Sequence, residues 1–168
     1  MNRFLGWLER EWTGWKLIFG PLLCLLISLA YLKLIMISGI SYFQTPGSPT
    51  PPSLTLGILI GLVFYYILSA LWEELFFRVP LVFIFTVCHN NPKIFIAFIV
   101  IFSAIFGLCH GNIYNIVLQG FHGLIFSLVF IKTGGLNLGL GTLRAWFIAA
   151  LVHASYNLSI LFFPQFFL

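Results

Sequence analysis

The chain is poor in charge. Of 168 residues, only eight are Lys or Arg and four are acidic. All four acids are Glu, and there is no Asp. Soluble domains carry about 25% charged residues; here the share is 7%, against 61% hydrophobic. So little charge excludes a water-facing globular surface, and so much apolar residue excludes a disordered chain. There are three cysteines, Cys24, Cys88 and Cys109, an odd number with no CxxC pair. That excludes a disulfide framework and a thiolate zinc site. The net charge is +4, but the basic residues are scattered and no patch suits nucleic acid.

What is present is long apolar runs. They cover about 17–38, 54–87, 94–109, 113–131 and 145–163. A span needs about 20 apolar residues. In lipid, an open chain satisfies its backbone only as helix. The fold class predicted is therefore all-α: a polytopic transmembrane helix bundle of about five spans, or six if 54–87 folds as two. At roughly 51 Å of helix, that run needs tilt, a kink near Pro80 or a separate first piece. Residues 39–53 hold four prolines and no charge and read as a loop. The segments 88–93 and 111–112 read as turns, and 132–144 as a Gly-rich loop.

Residues 1–16 contain Glu9 and Glu11 and no long apolar run, unlike a cleaved signal peptide. Phe4, Leu8, Trp12 and Trp15 recur at helical spacing between basic residues. This predicts a short amphipathic helix in the interface, followed by one membrane domain over 17–168. With five spans and a cytoplasmic N-terminus, the inside segments hold Arg3, Arg10, Lys16, Lys93, Lys132 and Arg144. The outside loops then hold no Lys or Arg, as the positive-inside rule requires. Lys33, near the end of its run, snorkels to the headgroups.

Ionisable residues inside spans are costly and mark function. Here they are Glu73, Glu74, Arg78, His110, His122 and His153. Glu74 and Arg78 share a face at i, i+4 and read as a buried ion pair, which leaves Glu73 without a partner. His122 reads as a hydrogen-bonded core residue. Phe106 and His110 share one face, and so do His153 and Asn157. From the assumed cytoplasmic ends, Glu73, His110, His153 and Asn157 lie ~21, ~24, ~12 and ~18 Å deep, so with tilt they can share a pocket. A carboxylate beside an imidazole activates water. A second His and an Asn amide stabilise an oxyanion. Alternatively Glu73, His110 and His153 ligate a divalent metal such as Zn²⁺ and leave one position for water. No HExxH motif is present.

Three segments carry a resemblance. Glu73-Glu74-Leu-Phe-Phe-Arg78 resembles the EExxxR motif of the CPBP intramembrane proteases, which comprise CAAX-processing endopeptidases and the bacteriocin-processing Abi proteins. Phe106-Gly-Leu-Cys-His110 resembles their FxxxH motif, and His153-Ala-Ser-Tyr-Asn157 their HxxxN motif. The order matches, each motif has its own span, and the shared core runs from about 54 to 163. The resemblance implies a membrane endopeptidase acting on a membrane-associated peptide or protein. Glu73 and His110 would activate water, His153 and Asn157 would stabilise the oxyanion, and Glu74 and Arg78 would support the site. A Gly commonly follows the Arg in that family, whereas Val79 and Pro80 follow here. The short chain also has fewer flanking spans than the prenyl-protein endopeptidases. Two other classes fit the residues less well. A non-catalytic immunity or interaction protein does not need all six polar groups. A small transporter should show an inverted repeat, and none is visible.

Overall fold

The computed structural model describes residues 2–38, 55–88, 91–111 and 113–162, with side chains from residue 6 onward. Six α-helices follow in chain order, and no strand occurs among the described residues. They are α1 (Asn2–Glu9), α2 (Lys16–Ile37), α3 (Leu56–Cys88), α4 (Pro92–Leu108), α5 (Asn115–Phe130) and α6 (Leu140–Phe162). A wide π-type turn, Ile131–Gly135, extends α5. The proline-rich loop expected at 39–53, like Asn112 in the expected turn, lies outside the described residues.

Four helices have the length and apolar composition to cross a membrane: α2, α3, α5 with its terminal turn, and α6. The fifth apolar helix, α4, has 17 residues. At ~1.5 Å per residue it spans roughly 26 Å, near the lower limit for a crossing. The 54–87 run forms one helix rather than two, so the six-span alternative falls away. Pro80 lies inside α3. It has no amide to return to the Phe76 carbonyl, yet the helix continues through it.

α4 packs most extensively on α5, and α3 on α6. Small residues let α4 and α5 approach closely, as between membrane helices generally. A Cβ added at Gly107 would come within 2.8 Å of the Ile116 Cα, and one at Gly123 within 3.2 Å of the Ser103 Cα. α2 is attached to α5 by polar contacts. The Tyr31 hydroxyl donates to the Val117 carbonyl at 2.9 Å, and Tyr31 stacks on Phe121. His122, fully buried, places Nε2 3.1 Å from the Ser28 carbonyl. The reading of His122 as a hydrogen-bonded core residue therefore holds.

Two expectations are corrected. The N-terminal helix ends at Glu9, so Trp12 and Trp15 do not continue its face. The Trp12 amide instead donates to the Lys132 carbonyl at 2.6 Å. The Trp12 ring lies over Gly20, where any side chain would collide with it. Tertiary bonding to the α5–α6 turn outweighs the helical spacing there. The Gly-rich loop is also shorter than expected, because Lys132–Gly135 complete α5 and α6 begins at Leu140. Gly134 makes the reversal at φ 103°, a conformation that favours glycine.

Lys132 is buried rather than a free loop cation. Its Nζ donates to the Trp7 carbonyl at 2.5 Å and to the Arg10 carbonyl, and it lies 4.5 Å from the Trp7 ring centroid. Arg144 donates to the Thr133 carbonyl and pairs with Glu11 at 3.0 Å. These bonds clamp residues 7–12 onto the α5–α6 turn.

The α4–α5 approach yields a measurable expectation. Gly107→Ala places a methyl against the α5 backbone and should cost about 1–3 kcal/mol, the usual range for overpacking. Thermal unfolding in detergent should show a lower midpoint. Gly61→Ala, with open space around the added methyl, should leave it unchanged.

Candidate active site

α3 carries two adjacent glutamates that point in different directions, as successive helix residues must. Glu74 turns inward and is fully buried. Its Oε2 accepts from Arg78 Nε at 2.8 Å, one turn on, with both side chains inaccessible to solvent. Its Oε1 lies 3.0 Å from His153 Nδ1 on α6. The ion pair read from the sequence is therefore one end of a longer chain, Arg78–Glu74–His153. A carboxylate paired to a guanidinium is an acceptor only, so His153 Nδ1 carries the hydrogen and Nε2 faces away from Glu74.

Nε2 of His153 faces Glu73. The Glu73 Oε2 is 3.8 Å from it and 3.6 Å from His110 Nε2. The His110 Nδ1 lies 2.8 Å from the Phe106 carbonyl. A carbonyl only accepts, so this nitrogen too bears the hydrogen. In the neutral imidazoles, two Nε2 lone pairs and one carboxylate oxygen converge on one small space. Glu73 Oε2 has no hydrogen-bond partner there among the described residues. A water molecule offers two donors to such a set.

The surroundings hold the rings. Phe126 stacks on His153 with centroids 4.6 Å apart. Phe106 meets both His110 and His153, and the Arg78 guanidinium lies over its ring. Phe106 and Phe126 are fully buried. Asn115 donates to the His110 carbonyl at 2.6 Å and fixes the end of α4. Trp146 donates from Nε1 to the Leu71 carbonyl at 3.0 Å, a second link between α6 and α3. The four side chains differ in exposure. The side chains of Glu73 and His110 are 29% and 30% exposed, those of His153 and Glu74 3% and 0%.

Five of the six residues singled out in the sequence, Glu73, Glu74, Arg78, His110 and His153, thus meet in one cluster. Asn157 lies half-buried one turn after His153 on the same helix. Its amide makes no hydrogen bond to the other five among the described residues, so it flanks the cluster rather than joining it. Sequence reasoning missed Ser69. Its hydroxyl donates to Glu73 Oε1 at 2.8 Å. The available signal was its i, i+4 spacing to Glu73, the same rule that paired Glu74 with Arg78.

The possible zinc set, Glu73, His110 and His153, has the right chemistry, and both Nδ1 atoms are committed as second-shell bonding of metal ligands requires. Its separations of 3.6 and 3.8 Å exceed the ~3.3 Å between tetrahedral zinc ligands bound at about 2.0–2.1 Å. Among the described residues, no group of three or more His, Cys, Asp or Glu is arranged to hold a metal ion. As placed, the three do not form a closed ligand set.

Comparison with known proteins supplies the family. The family profile of the Rce1-like type II CAAX prenyl endopeptidases matches residues 55–159. That segment holds the cluster and runs from the start of α3 to near the end of α6. No curated protein and no solved structure matches the chain. With four apolar helices of span length and this match, the chain is a multi-pass membrane protein. Its profile match covers more than half of its length, and it belongs to the Rce1-like family of type II CAAX prenyl endopeptidases, intramembrane proteases.

Proposed function

We propose that the chain is an endopeptidase that hydrolyses a peptide bond of a membrane-associated peptide or protein, using water activated by Glu73. The observation that carries this reading is the unpartnered Glu73 Oε2, set between two imidazole Nε2 atoms at 3.6 and 3.8 Å.

The chemistry follows from the lone pairs. Water sits between Glu73 Oε2 and His110 Nε2 and donates a hydrogen bond to each. As its oxygen attacks the scissile carbonyl carbon, Glu73 Oε2 takes one of its protons. The carbonyl oxygen becomes an oxyanion. His153 takes a proton from bulk water at Nε2 as substrate binds and donates it as a hydrogen bond to the oxyanion, with Glu74 behind the ring to stabilise the imidazolium. It returns that proton to bulk water when the products leave. Glu73, Glu74 and Arg78 together carry one net negative charge, which a proton on His153 cancels. The Asn157 amide supplies a second donor from the next turn of α6. Glu73 then passes its proton to the amide nitrogen, the C–N bond breaks, and the acid and amine products separate. Ser69 acts through Glu73: by holding Oε1 it leaves Oε2 as the base.

Purified protein is offered a farnesylated CAAX peptide and unprenylated membrane-anchored peptides, with cleavage followed by mass spectrometry. Glu73→Ala and His110→Ala should each lower cleavage by roughly 10²–10⁴-fold, the range for a lost general base. Cleavage that survives both substitutions contradicts the proposal. In the same assay a chelator should leave the rate unchanged. A loss that Zn²⁺ restores would assign Glu73, His110 and His153 as metal ligands instead.

Ser69→Ala should lower kcat about tenfold, as expected for loss of a hydrogen bond to a charged group worth ~1.5 kcal/mol, with KM unchanged. Ser69→Thr, which keeps the hydroxyl, should restore kcat. Equal losses in both variants would make Ser69 a packing residue only.

A further inference from the structure

Glu73 and His153 are near each other without a bond of their own. Glu73 Oε2 and His153 Nε2 stand 3.8 Å apart, beyond hydrogen-bond length. Their spacing is therefore set by how α6 lies on α3.

These two helices meet through small side chains. Ala70 of α3 and Ala150 and Ala154 of α6 are buried together, with Ile67 and Leu71 packed against them. Small residues let the backbones approach closely. Methyl groups interdigitate little, so this contact does not by itself fix rotation or register.

Two polar contacts tie the same helices. His153 Nδ1 lies 3.0 Å from Glu74 Oε1, and Trp146 Nε1 donates to the Leu71 carbonyl at 3.0 Å. Trp146 and His153 are seven residues apart, so they leave α6 on nearly the same side, about 10 Å apart along its axis. On α3, Leu71 precedes Glu74 by three residues, and Glu73 lies between them.

The two contacts differ in stiffness. Glu74 and His153 are joined through two side chains, whose torsions can follow a shift of α6. The Trp146 bond ends on a backbone atom of α3, and the indole turns about only two torsions. It therefore holds helix to helix, not side chain to side chain. The Leu71 carbonyl does not need it, because the helix ladder already gives that oxygen a donor. An indole N–H in apolar surroundings does need an acceptor for its own sake, and the variants below separate that need from placement.

We propose that Trp146 is a positioning residue: by holding α6 to the Leu71 carbonyl, it sets the distance of His153 Nε2 from Glu73 Oε2. It acts through His153. Its effect on rate rests on the protease reading, whereas its effect on the Glu73–His153 distance is measured without any activity.

Trp146→Phe keeps an apolar ring and removes the donor. Trp146→benzothienylalanine, introduced at a reassigned stop codon, keeps the indole shape with sulfur in place of the N–H. It carries the test if Trp146→Phe fails to fold. In the cleavage assay either variant should lower kcat about 10–100-fold, the scale for a misplacement of ~1 Å, with KM unchanged. Solid-state NMR in lipid bilayers gives the second readout, on protein labelled with nitrogen-15 at His and carbon-13 at Glu. Signals are assigned by His153→Gln and Glu73→Gln. The dipolar coupling between His153 Nε2 and the Glu73 carboxyl carbon should weaken in the Trp146 variants, while that between His153 Nδ1 and Glu74 persists. A merely structural Trp146 would lower the unfolding midpoint and move neither readout. An unchanged kcat in a variant of an active wild type, or an unchanged Nε2–Glu73 coupling, overturns the proposal. A wild type that cleaves no peptide, with coupling that weakens as expected, would overturn the protease reading and leave the positioning role standing.

Discussion

Both oxygens of the Glu74 carboxylate are committed, one to Arg78 and one to His153. Much of the site depends on that double commitment. A carboxylate and a guanidinium without solvent contact are tolerable only as a pair. Pairing along α3 leaves Oε1 to cross to α6, where it fixes which nitrogen of His153 is protonated. The other nitrogen is thereby aimed at Glu73. The Phe106 carbonyl imposes the same choice on His110. Two rings from two helices present the same atom to one carboxylate oxygen, and each is oriented by an acceptor behind it. The arrangement is preorganised because every orienting bond lies within α3, between α3 and α6, or between α4 and the residue two places beyond its end. α3 and α6 are also joined outside the cluster, by Trp146 on the Leu71 carbonyl.

Glu73 and Glu74 are neighbours in sequence with opposite surroundings. Glu74 has two charged or polar partners and no solvent contact. Glu73 has one neutral donor, Ser69, and a partly exposed side chain. One carboxylate thus has both oxygens held, and the other keeps one oxygen without a hydrogen-bond partner among the described residues. The hundred-degree step between successive helix residues is enough to separate them.

Much of this was legible in the sequence because lipid leaves little choice. Apolar runs had to be helices, and each ionisable residue within them needed a reason. Glu73, His110 and His153 stood out against a nearly uncharged background, and helical spacing paired Glu74 with Arg78. Spacing did not reveal that Glu74 also reaches His153, because that contact crosses 79 positions of chain. Ser69 was hidden for a different reason: a lone serine in an apolar run also bonds its own helix backbone, as Ser127 does. Lys132 misled because a charge after an apolar run reads as a loop residue. Its burial depends on the carbonyls of residues 7 and 10, more than 120 positions away. Trp12 had helical spacing but lies where the chain leaves α1 to bond the α5–α6 turn.

Glu73 Oε2 and the two Nε2 lone pairs converge on one another at 3.6 and 3.8 Å. Nitrogen-15 NMR of the protein, labelled at histidine and assigned by His110→Gln, reads this directly in lipid bicelles at neutral pH. The tautomer expected for His110 has Nδ1 protonated toward the Phe106 carbonyl and Nε2 bare. Protonation at Nε2 with Nδ1 bare would contradict it, because the ring would then present a donor to Glu73 and water would lose its second acceptor.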